Sequence, residues 1–343
     1  MYKILMNLKK LNAAIIGLGV GERHIDGYQS DERCTVTKLC DIDEKKLNEV
    51  GKRHTDCKIT IDPDEILNDP EINVVSIASY DNFHADQVVK SIENGKHVFV
   101  EKPICLSQDE FDSIRIALLK NPEIKLSSNF VLRSSPEFIK VKNEIEKNSF
   151  GNLYYLEGDY NYGRIHKLIE GWRSDIPFYS VMHGGGIHLI DLITWITKKQ
   201  VKEVIGVGNK IVTKNTKFQY PDMITSLLKF EDNSVGKITA NFGSVTPHHH
   251  RLSLYGTKNT FYQGYESGIY YHERENGLNK TELKRTFDNT KKIDVLKSFI
   301  SSILDNSKPA VTCKEVLDVM AISLAIEKSL TSRKWEKVNY INI

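Results

Sequence analysis

The chain has 343 residues, 40% of them hydrophobic and 27% charged, long enough for two cores of ordinary globular composition. Its 47 Lys and Arg against 45 Asp and Glu leave a net charge of +2, which gives nucleic acid or an anionic membrane surface no electrostatic footing. Five cysteines (Cys34, Cys40, Cys57, Cys105, Cys313) form no CxxC pair, the pattern of a reduced protein without a disulfide framework.

The opening MYKILMNLKK carries lysines but no sustained apolar run, so a signal peptide is not expected. No later stretch is apolar for long enough to span a bilayer, and the reading is a cytoplasmic protein. Short apolar runs at 12–17, 35–41, 73–79, 96–100 and 124–128 predict buried strands. Helices are expected between them, at 43–54, 82–94 and 107–120. The last opens on a capping box, Ser107-x-x-Glu110, and sets Phe111, Ile114 and Leu118 on one face. Strands alternating with helices predict a doubly wound parallel sheet, a Rossmann domain over 1–130.

After residue 130 the rhythm changes. A helix at 135–147 is followed by β-like runs at 153–163, 201–211, 224–230, 235–243 and 251–256, with turn residues such as Asp232-Asn233. Helices near 291–305 and 313–331 close the chain, the second behind another capping box, Thr312-x-x-Glu315. The expectation for 131–343 is an α+β domain with a large, mostly antiparallel open sheet.

Gly17, Gly19 and Gly21 follow the first strand and open a helix, where backbone amides and the helix dipole favour a pyrophosphate. The spacing is GxGxG, with Glu22 where a third glycine usually stands. Asp41 ends the second strand about 20 residues further on, placed to accept hydrogen bonds from an adenosine ribose and to repel a 2′-phosphate. The cofactor expected is therefore NAD rather than NADP. Lys102 follows the fifth strand in Glu101-Lys102-Pro103, at the strand ends where open α/β sheets bind ligands. A lysine beside a cationic nicotinamide can serve as proton acceptor.

Residues 182–191 read MHGGGIHLID, with His188 and Asp191 at i, i+3 on one helix face. Between the predicted domains, 158–175 is rich in Tyr, Trp and Arg: Tyr160, Tyr162 and Trp172 offer aromatic faces, and Arg164, Lys167 and Arg173 offer cations. His248-His249-His250 invites a metal hypothesis, but side chains alternate along a strand and no Cys or HExxH partner is present. No metal site is expected.

GLGVGERH, the Asp41 strand end, SYDNFHAD (79–86), GKHVFVEKP (95–103) and GGGIHLIDLITWI (184–196) resemble the Gfo/Idh/MocA oxidoreductases. The likeness extends through SNFVLR (128–133), GNLYYLEGDY (151–160) and RLSLYGTKNTF (251–261). It implies a Rossmann domain joined to an open-sheet domain, with substrate bound between them. It also implies oxidation of a sugar or cyclitol carbinol, with Lys102 and His188 as the catalytic residues. The resemblance implies cofactor contacts from Gly17, Gly19, Val20, Gly21, Asp41, Ile42, Ser79, Asn82, His84, Glu101 and Lys102. Substrate contacts are expected from Asp191, Arg164, Trp172, Arg173, Asn129 and Tyr160. Many relatives carry an Asp four residues before the histidine, where this chain has Gly184. The aromatic and basic stretch favours a nucleotide-activated sugar as substrate. Competing readings are a free sugar or inositol dehydrogenase and a non-catalytic NAD-binding regulator of the same fold. A homo-oligomer, dimer or tetramer, is expected from the open sheet.

Overall fold

The computed structural model describes residues 10–275, 277–284 and 292–340. The amino-terminal lysine-bearing stretch therefore lies mostly outside the described residues. The described residues divide into two compact units, one built from those within 10–129 and 293–316, the other from those within 130–292 and 317–340.

The first unit holds a six-stranded parallel sheet: β1 (Leu11–Ile16), β2 (Cys34–Cys40), β3 (Lys58–Thr60), β4 (Val74–Ile77), β5 (His97–Val100) and β6 (Leu126–Ser128). The strand order is β3-β2-β1-β4-β5-β6, so the winding reverses between β1 and β4. The crossovers carry α1 (Glu22–Gln29), α2 (Glu44–Arg53), α3 (Asp64–Leu67), α4 (His84–Glu93) and α5 (Gln108–Lys120). Ser107 and Glu110 form the expected reciprocal capping box at the start of α5. Strand β3 was not expected, because Lys58-Ile-Thr60 lies on the sheet edge with little burial and carries no apolar signal. Sequence order placed 131–343 together, yet the compact unit around this sheet also includes α9 (Asp294–Asp305). Its apolar face, Val295, Leu296, Phe299, Ile300 and Ile303, is buried. Phe299 packs on Phe99, Arg33 pairs with Asp305 at 2.6 Å, and Ser127 donates to the Val311 carbonyl.

The second unit is built on a nine-stranded sheet. Its strands are β7 (Leu153–Asn161), β8 (Val201–Asn209), β9 (Met223–Phe230), β10 (Val235–Asn241), β11 (His249–Gly256), β12 (Thr260–Gln263), β13 (Ser267–Tyr271), β14 (Lys280–Lys284) and β15 (Glu336–Lys337). Their order is β14-β13-β12-β11-β7-β10-β9-β8-β15. The β7–β10 pair is parallel and the other pairs are antiparallel. Strands β12 to β14 were not expected; β14 at the edge is largely exposed and lacks the alternation that marks a half-buried strand.

Leu156, Gly158 and Tyr160 of β7 are buried, and Gly158 admits Leu189 against the strand. Leu189 belongs to α8 (Ile187–Thr197); α6 (Pro136–Glu146), α7 (His166–Ile169) and α10 (Cys313–Ser332) complete the α-helices among the described residues. The opposite face of the sheet carries a charged lattice, Lys237 and Arg251 against Glu157 and Asp159 at 3.1–3.7 Å. Among the described residues no helix is long and apolar enough to cross a membrane.

Candidate active site

The glycine loop sits at the carboxyl ends of β1 and β4. Gly17 has φ +88°, and a Cβ there would collide with the Ala78 carbonyl. Gly21 would bring a Cβ onto Gly17 O and Ile15, so it performs the close helix–strand packing one position before the usual third glycine. Position 22 is thereby released to a side chain: Glu22 turns to Arg53 and Lys46 of α2. Beyond Gly19 there is only open space, and no side chain caps the amino end of α1.

Asp41 binds this loop directly. Its Oδ2 accepts from Leu18 N–H at 2.7 Å and its Oδ1 from Asp43 N–H at 2.9 Å. Val20 and Ile42 on either side are 51% and 62% exposed, an apolar lip next to a half-buried carboxylate. These features fit an adenosine diphosphate moiety: open backbone amides for phosphate, a carboxylate for ribose, apolar surface for the base.

Two strands along, Glu101-Lys102-Pro103 leaves β5, with a cis bond between Lys102 and Pro103. The Glu101 carboxylate is 13% exposed; its Oε1 accepts from Asn129 Nδ2 at 2.6 Å and faces His24 Nε2 at 3.4 Å. Burial pushes the Glu101 pKa up, but the neighbouring His24 ring, the Lys102 ammonium and Asn129 outweigh it and hold the group below the usual carboxylate range. His84 clasps the far side of the turn, Nδ1 at 2.6 Å from the Pro103 carbonyl and Nε2 at 3.0 Å from the Ser79 carbonyl.

In the second unit, Met182–Gly186 forms one turn of π-helix that runs into α8. The glycine triplet is there for packing rather than phosphate. A Cβ on Gly184 would strike the Tyr179 hydroxyl, one on Gly185 would strike Tyr160 and Phe242, and one on Gly186 would strike Met182. The Tyr179 hydroxyl, itself accepting from Arg173 Nε at 3.1 Å, thus fills the space into which a carboxylate at 184 would project. Below the turn, Ser180 Oγ accepts from the N–H groups of Met182 and His183 and donates to Glu327. Burial pushes the Glu327 carboxyl up to about 7. His183 hydrogen-bonds Ser323 at 2.7 Å, and burial pushes its pKa down to about 3.

His188 is 8% exposed and stacks on Tyr160 at 6.2 Å, with the edge of His250 at 6.0 Å. His250 lies opposite Tyr160 in the β7–β11 register. His248 comes within 5.0 Å of His250, whereas His249 packs against Tyr265. The three consecutive histidines therefore split between two environments, as strand alternation requires. His249 and His250 lie inside β11 rather than in a loop before it.

Several expected ligand contacts have other work. Asp191 is fully buried, and both its oxygens accept from Arg133: Nε at 3.0 and 3.1 Å, Nη2 at 2.6 Å. That geometry makes it half of an internal ion pair. Tyr160 is buried among Tyr162, Phe242, His188, His248 and His250, where it supports His188 from behind. Asn129 is buried and spends its amide on Glu101. His84 is buried and spends its ring on backbone carbonyls. Ser79 donates to Gln87 at 2.7 Å, while the buried Asn82 Oδ1 has no protein donor. Arg173 lies over the Trp172 ring at 4.5 Å, and the exposed Arg164 lies over Tyr162 at 5.6 Å. His24, Arg133, Tyr179 and Glu327 were not singled out from sequence; their partners are distant in the chain or, for Tyr179, hidden by a turn.

A doubly wound sheet with an anchored glycine loop, a strand-end carboxylate and a lysine turn on the same edge is the apparatus of a nicotinamide-dependent oxidoreductase. Known proteins agree. Residues 11–129 match the oxidoreductase family with an NAD-binding Rossmann fold, and 138–262 match the GFO/IDH/MocA C-terminal domain. The chain is 22% identical to a myo-inositol 2-dehydrogenase of Thermotoga maritima, over 96% of this chain and 99% of that one. It is 27% identical to a scyllo-inositol 2-dehydrogenase (NAD(+)) of Bacillus subtilis, over 74% of each. A levoglucosan dehydrogenase solved in complex with NADH shares its fold, with a TM-score of 0.85 at 18% identity over 97% of this chain and all of that one. The chain belongs to the Gfo/Idh/MocA oxidoreductase family. It is an oxidoreductase with an NAD-binding Rossmann domain.

Proposed function

We propose that the substrate is a free cyclitol or sugar ring, and that Lys102 takes the proton of the hydroxyl being oxidised. The observation that carries this reading is the Glu101-Lys102-Pro103 turn, held from both sides by His24, Asn129 and His84 on the sheet edge that bears the glycine loop. NAD supplies the hydride acceptor when bound. Gly17, Gly19 and Gly21 with the amino end of α1 would hold its phosphates, and Asp41 would hold its ribose. Lys102 accepts the hydroxyl proton as the C–H bond breaks, and His188, backed by Tyr160, is the second catalytic candidate.

A free ring is favoured over a nucleotide-activated sugar for two reasons. Arg173 covers a face of Trp172 and is bonded to Tyr179, so the groups that would have received a base and a phosphate are already engaged. The curated relatives described above are inositol dehydrogenases by name. A homo-oligomer is part of the same reading, supported by Val207, Leu227, Val235 and Tyr262, which are exposed on the sheet face that carries the charged lattice.

The test follows NADH formation with myo-inositol, scyllo-inositol, levoglucosan and a UDP-sugar. Turnover of one of the free rings supports the reading; turnover confined to the UDP-sugar overturns it. On the substrate that works, Lys102→Met should lower kcat by about 10²–10⁴-fold and leave NAD affinity near wild type. His188→Asn should lower kcat more than it raises KM. Normal turnover by Lys102→Met removes that lysine from the chemistry.

A further inference from the structure

A buried carboxylate stands at the end of a chain of closely spaced polar side chains inside the first unit. Glu101, held ionised, can only accept. The ring nitrogen of His24 that faces it, Nε2, lies at 3.4 Å, an ion-pair approach rather than a formed hydrogen bond, and a proton on that nitrogen is what makes the approach favourable. A ring whose single proton sits on Nε2 leaves Nδ1 as an acceptor, and Ser76 Oγ, 3.1 Å away, then donates to it. With its proton committed, Ser76 accepts from the Tyr28 hydroxyl at 3.3 Å. Burial raises the Tyr28 pKa and keeps that proton on the phenol. The order is Tyr28 to Ser76 to His24 to Glu101. Both ends are rigid: Tyr28 and Ser76 are fully buried, and Phe99 meets the His24 ring edge-on at 5.3 Å.

We propose that His24 is a positioning residue for Lys102, holding the Glu101 carboxylate through this one-way relay; the proposal rests on Lys102 being the proton acceptor. Glu101 immediately precedes Lys102, and its backbone N–H is already in the ladder to Ile77. Its side chain is the remaining freedom on that side of the turn, and it is pinned from α1 by His24 and from the end of β6 by Asn129. His24 also lies in the first turn of α1, with its N–H bonded to Gly21 O. One residue thus ties the glycine loop to the lysine turn. Neither motif, read separately, assigns it a role.

Glutamine and asparagine divide the two ends of an imidazole between them. His24→Gln keeps an amide donor near the Nε2 position and can still approach Glu101. His24→Asn reaches only as far as Nδ1 and loses that approach. On scyllo-inositol, His24→Asn should lower kcat by on the order of 10²-fold, the cost of displacing a reacting group by about 1 Å. Its KM and its NAD Kd by calorimetry should stay near wild type, and His24→Gln should recover most of the rate. Independently of turnover, ¹⁵N-histidine NMR of the wild-type protein, with His24 assigned by its loss in His24→Gln, should show the Nε2-protonated tautomer. Glu101→Gln should disturb that pattern.

Equal rates for the Asn and Gln variants would overturn the relay, as would an Nδ1-protonated or doubly protonated His24. If a variant does not fold, the wild-type tautomer decides. Lys102→Met is run beside them. Normal turnover there removes the reading on which the relay rests, whereas an inactive Lys102→Met beside unaffected His24 variants removes the relay alone.

Discussion

Asp191→Ala discriminates between a sugar ligand and an internal ion pair. Arg133 contacts both oxygens of Asp191 at 2.6–3.1 Å, and the two side chains are 2% and 0% exposed. Deleting the carboxylate takes its acceptor away from a buried guanidinium, and breaking a buried pair in this way costs about 3–5 kcal/mol. At roughly 2–4 °C per kcal/mol for a unit of this size, the variant should melt on the order of 10 °C below wild type. Arg133 and Lys142 both lie 5.7 Å from the Trp195 ring centroid, so tryptophan fluorescence in a urea titration reports the same unit. Replacing the whole pair, Arg133→Met with Asp191→Leu, should recover most of the loss, because two apolar groups leave no charge unpaired. Well below the transition, kcat and KM of Asp191→Ala should stay close to wild type. A wild-type unfolding midpoint combined with a raised KM would refute the ion-pair assignment and return Asp191 to the substrate.

NADP(H) should bind more weakly than NAD(H), since a 2′-phosphate meets the Asp41 carboxylate; in Asp41→Ala the preference should narrow, and NAD itself should weaken because Leu18 and Asp43 lose their acceptor. Fluorescence titration with both cofactors checks this, and equal wild-type affinities would count against it. Glu327 has a folded pKa of about 7 against 4.5 for the free group, so the folded state binds the extra proton. Its stabilising contribution is present below pH 4.5 and is lost as pH rises to about 7, by at most about 3 kcal/mol. Thermal melts at pH 5 and pH 8 should show Glu327→Gln losing that decline; an unchanged decline assigns it to other groups. Gly184→Ala should destabilise by about 1–3 kcal/mol through overpacking against the Tyr179 hydroxyl, and Tyr179→Phe in the same chain should relieve part of it in a melt. A neutral Gly184→Ala would mean that Tyr179 moves aside freely.

What could be read from the sequence follows from how far apart the interacting residues lie. The strands of the first sheet were legible because Ala13–Ile16 and Val74–Ile77 are buried on both faces and read as unbroken apolar runs. The edge strand Lys58–Thr60 has no buried face and left no mark. The helix at 294–305 was visible as amphipathic, but an amphipathic pattern does not name the core that will receive it. Gly184 shows the same limit within a few residues. Its departure from the family pattern was plain, yet the reason is a tyrosine five positions earlier whose ring returns over the π-turn.

Charges behave likewise. Spacing placed His188 and Asp191 on one helix face, and a shared face suggested a shared task. The task of Asp191 is set instead by Arg133, 58 residues upstream, which no local pattern connects to it. A polar residue beside a motif is therefore ambiguous until its partner is known. His84 and Asn129 lie in motif segments and brace the lysine turn from inside, whereas Gly19 opens onto free space and Asp41 stays half-buried at the edge. In this chain the motifs mark one neighbourhood, and the partner each polar side chain finds there separates the braced residues from those left facing open space.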